Sequence, residues 1–121
     1  MAKLLVVDDD RDVIELLNYL LERHGHQILE AGNGREGLET VMREHPDLII
    51  LDIMMPEMDG FEMNKRLLEN KTTQKIPVII LTAKGQVRDS FDMTPNIKFF
   101  MEKPFDPKDL QTKVLDALGE N

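Results

Sequence analysis

The chain has 121 residues, of which 41% are hydrophobic and 31% charged, and we expect residues 1–121 to form a single domain. Its formal net charge of −8 repels nucleic-acid phosphates, so we expect no nucleic-acid binding by this domain. The absence of cysteine excludes disulfides, thiolate zinc sites and cysteine nucleophiles. With no signal peptide visible and no apolar run near the roughly 18–20 residues that cross a bilayer, we expect a cytoplasmic protein that does not contact a membrane.

Short apolar runs alternate with amphipathic stretches along the chain. The runs at residues 4–7 and 48–51 predict buried strands, and those at 78–81 and 98–101 predict two further strands. Residues 27–31 predict a weaker strand, the second in chain order. Between and after them the pattern predicts helices over residues 10–24, 33–45, 60–70 and 106–119, with Asn33 and Asp106 as N-caps, Pro107 in the first turn of the last helix, and Gly25 and Gly119 as terminators. Strands that are apolar throughout favour a parallel sheet covered on both faces. The repeated order of strand and helix indicates a doubly wound α/β fold.

Polar residues follow the predicted strands at their carboxyl ends, where doubly wound folds place their sites. They are Asp8, Asp9 and Asp10 after the first strand, Asp52 after the third, Thr82 after the fourth and Lys103 after the fifth. A capping role at the first helix accounts for Asp10. The other three carboxylates would repel one another and need a counter-charge, for which Mg²⁺ with oxygen ligands is suited. A hydroxyl and an ammonium complete a set suited to phosphoryl transfer onto a carboxylate.

These residues stand in ordered motifs that cover about residues 3–118. The motifs are Val7-Asp8-Asp9, Leu51-Asp52-Ile53-Met54-Met55-Pro56, Met58-Asp59-Gly60-Phe61, Leu81-Thr82-Ala83-Lys84 and Lys103-Pro104-Phe105. Together they resemble the receiver domains of bacterial two-component response regulators. The resemblance implies a flavodoxin-like, five-stranded parallel sheet of strand order 2-1-3-4-5 with helices on both faces.

The same resemblance implies a role for each site residue. Asp52 matches the aspartate that takes a phosphoryl group from a histidine kinase or a histidine phosphotransfer protein. Asp9 matches the direct ligand of Mg²⁺ and Asp8 the ligand that acts through water, while the backbone carbonyl of Met54 completes the protein's ligands. Such a domain catalyses its own phosphorylation and dephosphorylation and turns over no external substrate.

Further roles concern switching and partners. Thr82 matches the hydroxyl that contacts the phosphoryl group and shifts on activation, and Lys103 the lysine that pairs with a phosphoryl oxygen. Phe100 matches the aromatic that turns inward with that shift and so controls a downstream protein, which the sequence does not identify. The peptide bond before Pro104 is implied to be cis. On the first helix and beside the last motif, the candidate contacts for the kinase are Val13, Leu16, Pro104 and Phe105.

Three other functions fit these residues less well. A dehalogenase-type phosphatase requires an acid where Met54 stands. A flavin-binding domain requires a phosphate loop after the first strand, where three aspartates would repel the phosphate. A purely structural module would not need the acids, the hydroxyl and the lysine together.

The sequence supports several further predictions. Lys84 either contacts the phosphoryl group or is solvated. The segment 85–94, which lacks the family's usual alanine-rich pattern, is expected to be a short or mobile helix before Pro95. Asp59-Gly60 is expected to form a turn in which the glycine can take positive φ. The three histidines are expected at the surface, and the chain is either a whole single-domain regulator or a piece of a longer one.

Overall fold

A computed structural model describes residues 2–55, 58–83 and 94–119 of the chain. Its centre is a sheet of five parallel strands in the order β2-β1-β3-β4-β5, which confirms the predicted fold and strand order. The strands are β1 (Lys3–Val7), β2 (Gln27–Ala31), β3 (Leu48–Asp52), β4 (Val78–Ala83) and β5 (Ile97–Lys103).

Four helices in the described part of the chain cover the sheet, and three of them start directly after a predicted capping residue. They are α1 (Arg11–Glu22), α2 (Gly34–Glu44), α3 (Gly60–Leu68) and α4 (Pro107–Leu118). The side chains of Asn33 and Asp106 accept hydrogen bonds from first-turn amides, and Asp10 caps α1 in the same way. The last helix ends at Gly119, whose φ of 76° is the left-handed conformation that glycine adopts without strain.

The sheet separates two hydrophobic cores, because successive strand residues point to opposite faces. The first core lies under α1 and α4 and includes Leu4, Val6, Ile14, Leu17, Leu48, Ile50, Leu110 and Val114. The second core lies under α2 and α3 and includes Leu5, Val7, Val41, Ile49, Leu51, Met63, Leu67 and Ile80. Helices therefore cover both faces of the sheet, as the continuously apolar strands predicted.

One extra residue interrupts the pairing of β5 with β4. Val78 pairs with Ile97, but the next residue of β4 pairs with Phe99, so Lys98 is left as a β-bulge. Phe99 then packs against the first core and Phe100 against the second. The bulge sets which face each later side chain of β5 occupies.

The start of β5 is held to α3 by three buried or half-buried polar side chains, which we call the Asn64 ring. Asn64 donates to Thr94 Oγ1 at 3.1 Å, Thr94 donates to Asn96 Oδ1, and Asn96 donates back to Asn64 Oδ1 at 2.6 Å. Asn64 and Asn96 are 7% and 3% exposed, so their hydrogen bonds satisfy groups that have little access to water.

Two expectations were wrong. Gly60 does not take positive φ in a turn; it is the first residue of α3, with Asp59 as the N-cap. His26 is buried, and its Nδ1 accepts a hydrogen bond from the Ala2 amide at 3.3 Å, because it lies where β2 begins beside β1. The predictions for Lys84 and residues 85–93 fall outside the described residues. No helix in the described ranges is long and apolar enough to span a bilayer.

Candidate functional site

Three aspartates meet at the carboxyl edge of the sheet. Asp8 follows β1 and Asp52 ends β3, and both are buried, at 1% and 5% exposure, whereas Asp9 is exposed. One carboxylate oxygen from each lies within 4.8 Å of the others. Adjacent parallel strands bring their carboxyl ends to one edge, so the predicted convergence of these side chains is confirmed.

Local hydrogen bonds fix the orientation of Asp8. Its amide donates to the carbonyl of Ala31 at 3.1 Å, which continues the pairing of β1 with β2. Its Oδ1 accepts from the amide of Asp10 at 2.9 Å, and Asp10 in turn caps α1. The carboxylate is thereby held at the start of the helix, with Oδ2 left for a cation.

Lys103, the last residue of β5, supplies that cation. Its Nζ lies 2.9 Å from Asp8 Oδ2 and 3.8 Å from Asp52 Oδ2. Burial lowers the pKa of the Lys103 ammonium, but the hydrogen bond with Asp8 and the charges of the nearby aspartates outweigh burial and raise this pKa. The ammonium is therefore charged at neutral pH. The peptide bond to Pro104 is cis, as the resemblance implied.

The pKa of the Asp52 carboxyl is raised from its ordinary value of 3.8 to about 6, and burial is the largest cause. The charge of Asp8 and, to a smaller extent, that of Asp9 also raise this pKa, whereas Lys103 and the Met54 amide lower it by stabilising the carboxylate. The site thus holds more negative charge than its lysine neutralises. Above about pH 6 the carboxylate is ionised and carries an oxygen that can act as a nucleophile.

Thr82 and Phe100 lie on the same face of the sheet, toward the second core. Thr82 is fully buried, and its Oγ1 has no hydrogen-bond partner among the residues that the structure describes. Phe100 pairs with Ile80, two residues before Thr82 on β4, and is partly buried against the second core. A buried hydroxyl without a partner is costly unless another group reaches it.

The loop after β3 shapes the rim of the site. Ile53 and Met55 are buried, whereas the Met54 side chain between them is 62% exposed. The Met54 amide donates to Asp52 Oδ1 at 3.4 Å. A methyl group at Gly60 would lie 2.6 Å from the Asp52 carbonyl oxygen, so only glycine permits α3 to start this close to β3.

A second glycine ties the same loop to α2. The amide of Gly34 donates to the carbonyl of Met58 at 3.1 Å, and a methyl group at Gly34 would collide with that carbonyl. The sequence did not reveal the positioning roles of Gly34 and Gly60. Their only signal was glycine within a helical pattern, which costs helix stability and so indicates a packing requirement.

The four candidate contacts for a partner differ in exposure. Leu16 on α1 is 46% exposed and Pro104 is exposed. Val13 and Phe105 are only partly buried against the first core. All four therefore retain some access to solvent, and Leu16 is an apolar side chain of α1 that the core leaves uncovered.

Comparison with known proteins gives the family. The model of the response regulator receiver domain matches residues 4–115, which is most of the chain. The chain belongs to the response regulator receiver family. Its fold is that of a response regulator receiver domain protein from Clostridium thermocellum, with a TM-score of 0.88, 28% identity, and 98% of this chain and 95% of that chain covered.

Two curated relatives differ in how much of their length is matched. Protein PilH of Pseudomonas aeruginosa PAO1 is 38% identical over 119 residues, which cover 98% of both proteins. The alkaline phosphatase synthesis transcriptional regulatory protein PhoP of Bacillus subtilis is 39% identical over 116 residues, which cover 93% of this chain but 46% of that protein. The chain thus spans about half the length of PhoP and nearly all of PilH.

Proposed function

We propose that this receiver domain accepts a phosphoryl group on Asp52 from a phosphohistidine, carried by a histidine kinase or a histidine phosphotransfer protein. Receiver domains as a family take phosphoryl groups from histidine kinases. The observation that carries the proposal for this chain is the grouping of Asp8, Asp9 and Asp52 within 4.8 Å, with Lys103 close to two of them.

The residues of the site fit a divalent cation. Oxygen ligands at the edge of the sheet suit Mg²⁺, which binds through one or two carboxylates and keeps positions for water and phosphate. We assign Asp8, Asp9, Asp52 and the Met54 carbonyl as the groups that would hold it. When bound, such an ion neutralises charge on the transferred phosphoryl oxygens.

The protein's own groups divide the remaining work. An oxygen of the Asp52 carboxylate attacks phosphorus, the phosphorus–nitrogen bond to the donor histidine breaks, and an acyl phosphate forms. Lys103 pairs with a phosphoryl oxygen and exchanges part of its contact with Asp8 for that new partner. Because the transition state carries charge on the phosphoryl oxygens, positioning and charge neutralisation supply most of the acceleration.

Switching follows from contacts that exist only in the phosphorylated state. The buried Thr82 hydroxyl, without a partner among the described residues, gains the phosphoryl oxygen as an acceptor. Movement of Thr82 toward that oxygen frees space on its face of the sheet, into which Phe100 turns. The surface around Phe100 then binds or releases a downstream protein.

Incubation with Mg²⁺ and acetyl phosphate tests the phosphorylation. We expect intact-mass spectrometry to show one added phosphoryl group on the wild type, none on Asp52→Asn, and a large loss on Asp9→Asn. Asp12→Asn is the matched control, since Asp12 is also an exposed acid near the start of α1 but lies outside the cluster. A phosphoryl group on Asp52→Asn equal to that on wild type, or none on the wild type, would falsify the assignment.

The partner surface requires a separate experiment, since acetyl phosphate does not use it. We propose that Val13, Leu16, Pro104 and Phe105 contact the phosphodonor protein. Leu16→Ala should slow transfer from a phosphorylated histidine kinase while leaving the reaction with acetyl phosphate at the wild-type rate. Equal slowing with both donors would show that the variant disturbs the fold or the site instead.

A further inference from the structure

The methionines of the chain differ widely in their access to solvent. The sequence contains eight methionines but no cysteine and no tryptophan, so thioethers are its most readily oxidised side chains. Among the described residues Met63, Met101 and Met55 are 0%, 5% and 8% exposed. Met42 and Met54 are 43% and 62% exposed. These two side chains are therefore more accessible to an oxidant in solution than the three buried ones.

Of the two, Met54 lies at the mouth of the site. It is two residues beyond Asp52, and its amide donates to Asp52 Oδ1 at 3.4 Å. Ile53 and Met55 on either side are 2% and 8% exposed, so the backbone at residue 54 is held between two buried side chains while the Met54 side chain itself is exposed to solvent. Met42 lies near the end of α2 that leads into the start of β3, at the opposite end of that strand from Asp52.

We propose that Met54 is a redox modification site, at which hydrogen peroxide controls how long Asp52 stays phosphorylated. The inference rests on the proposed phosphorylation of Asp52 and adds a form of regulation to it. The Met54 sulfur attacks one peroxide oxygen, a sulfur–oxygen bond forms, the oxygen–oxygen bond breaks and water leaves. Sulfur is oxidised by two electrons and peroxide is reduced, and methionine sulfoxide reductases can restore the thioether.

Oxidation changes the chemistry of the rim. A thioether is a weak acceptor, whereas the sulfoxide oxygen is a strong one. In hydrolysis of the acyl phosphate, water attacks phosphorus, the bond from phosphorus to the Asp52 oxygen breaks, and phosphate leaves. A sulfoxide at residue 54 accepts a hydrogen bond from that water and orients it. We expect the phosphoryl group to be lost about fivefold faster, because one net hydrogen bond to the attacking water in the transition state corresponds to a rate factor of that size.

The experiment measures the ratio of dephosphorylation rates after and before oxidation. The full chain is treated with dilute peroxide, quenched with catalase, phosphorylated with acetyl phosphate and Mg²⁺, and followed by intact-mass spectrometry after the donor is removed. Peptide mapping gives the sulfoxide at each methionine. Met54→Leu removes the proposed site, and Met42→Leu, the matched control, removes the other highly exposed thioether of the described residues. Met54→Gln places a comparable acceptor at the rim without oxidation.

The expected ratio is about fivefold for the wild type and for Met42→Leu, and one for Met54→Leu. Unoxidised Met54→Gln should already lose its phosphoryl group at about the rate of the oxidised wild type. A ratio of one in the wild type with Met54 converted to sulfoxide overturns the inference, as does the same acceleration in Met54→Leu. Failure of the untreated wild type to take up a phosphoryl group would instead refute the proposed phosphorylation itself.

Discussion

Replacing Asp52 by asparagine should stabilise the protein against unfolding, although it removes the nucleophile. The Asp52 carboxylate is 5% exposed and close to two other carboxylates, and its pKa is raised from 3.8 to about 6. A raised pKa means that the folded state holds the proton more tightly than the unfolded chain does. Ionisation of Asp52 at neutral pH therefore costs folding free energy, and asparagine of the same shape avoids that cost.

The size of this free-energy cost, and its dependence on pH, follow from the pKa values of Asp52 in the unfolded and folded states. Each tenfold change in proton affinity is worth about 1.4 kcal/mol, so a rise from 3.8 to about 6 corresponds to about 3 kcal/mol. Well below pH 3.8 the carboxyl is protonated in both states and the cost is absent. The cost grows between about pH 4 and pH 6 and is fully present above that range. The advantage of Asp52→Asn should follow the same curve.

Urea unfolding of the wild type and of Asp52→Asn measures this advantage, in EDTA so that no divalent ion offsets the repulsion. The difference in free energy of unfolding should rise from its value at pH 4 by about 2–3 kcal/mol at pH 7.5. The low-pH measurement on the same two proteins is the control for any effect of shape. A difference that stays constant with pH, or that falls as pH rises, would refute the argument that Asp52 is ionised at a cost to the fold.

Three further perturbations test other parts of the structure. Gly60→Ala should lower the free energy of unfolding by about 1–3 kcal/mol, because its Cβ would lie 2.6 Å from the Asp52 carbonyl oxygen. Gly32→Ala is the control, since its Cβ would lie 3.9 Å from a side-chain oxygen and should leave stability unchanged. Equal urea midpoints for the two variants would contradict this prediction. Lys103→Met should raise the pKa of Asp52 above about 6, because the lysine charge lowers it, and a carbon-13 NMR titration in EDTA that finds a lower pKa would contradict the assigned ion pair. Asn64→Leu should cost about 1–3 kcal/mol in urea unfolding, because Asn96 Nδ2 loses its acceptor and Thr94 Oγ1 loses its donor. An unchanged stability would show that the Asn64 ring is not maintained in solution.

The elements of the fold were predictable because their signals are local. The apolar runs at β1, β3 and β4 and the caps Asn33 and Asp106 are properties of a few adjacent residues, and the structure confirms them. The gathering of the acids, Thr82 and Lys103 at one edge also followed from the sequence, because every strand of a parallel sheet ends there. Family resemblance then supplied the strand order and the cis peptide bond, which spacing alone did not.

Features that depend on contacts between distant segments were not predictable in this way. The collision that forbids a side chain at Gly60 involves the Asp52 carbonyl oxygen, and nothing in the residues around Gly60 signals it. Burial of His26 depends on the Ala2 amide, 24 residues away along the chain. Lys103 Nζ lies 2.9 Å from Asp8 Oδ2 and 3.8 Å from Asp52 Oδ2, so it pairs chiefly with Asp8. The two partners are 95 positions apart in the chain.

The β-bulge at Lys98 determines where β5 can tolerate deletions. A chain that lost Lys98 could keep every pairing from Phe99 onward, because Ile97 and Phe99 already face consecutive residues of β4. Loss of one residue between the bulge and Lys103 would have a different effect if the start of the strand stays in place. Because successive strand residues face opposite sides of the sheet, Lys103 would then point away from Asp8. Homologous strands that differ by one residue at the bulge can therefore carry the same site, whereas a change in length closer to Lys103 cannot.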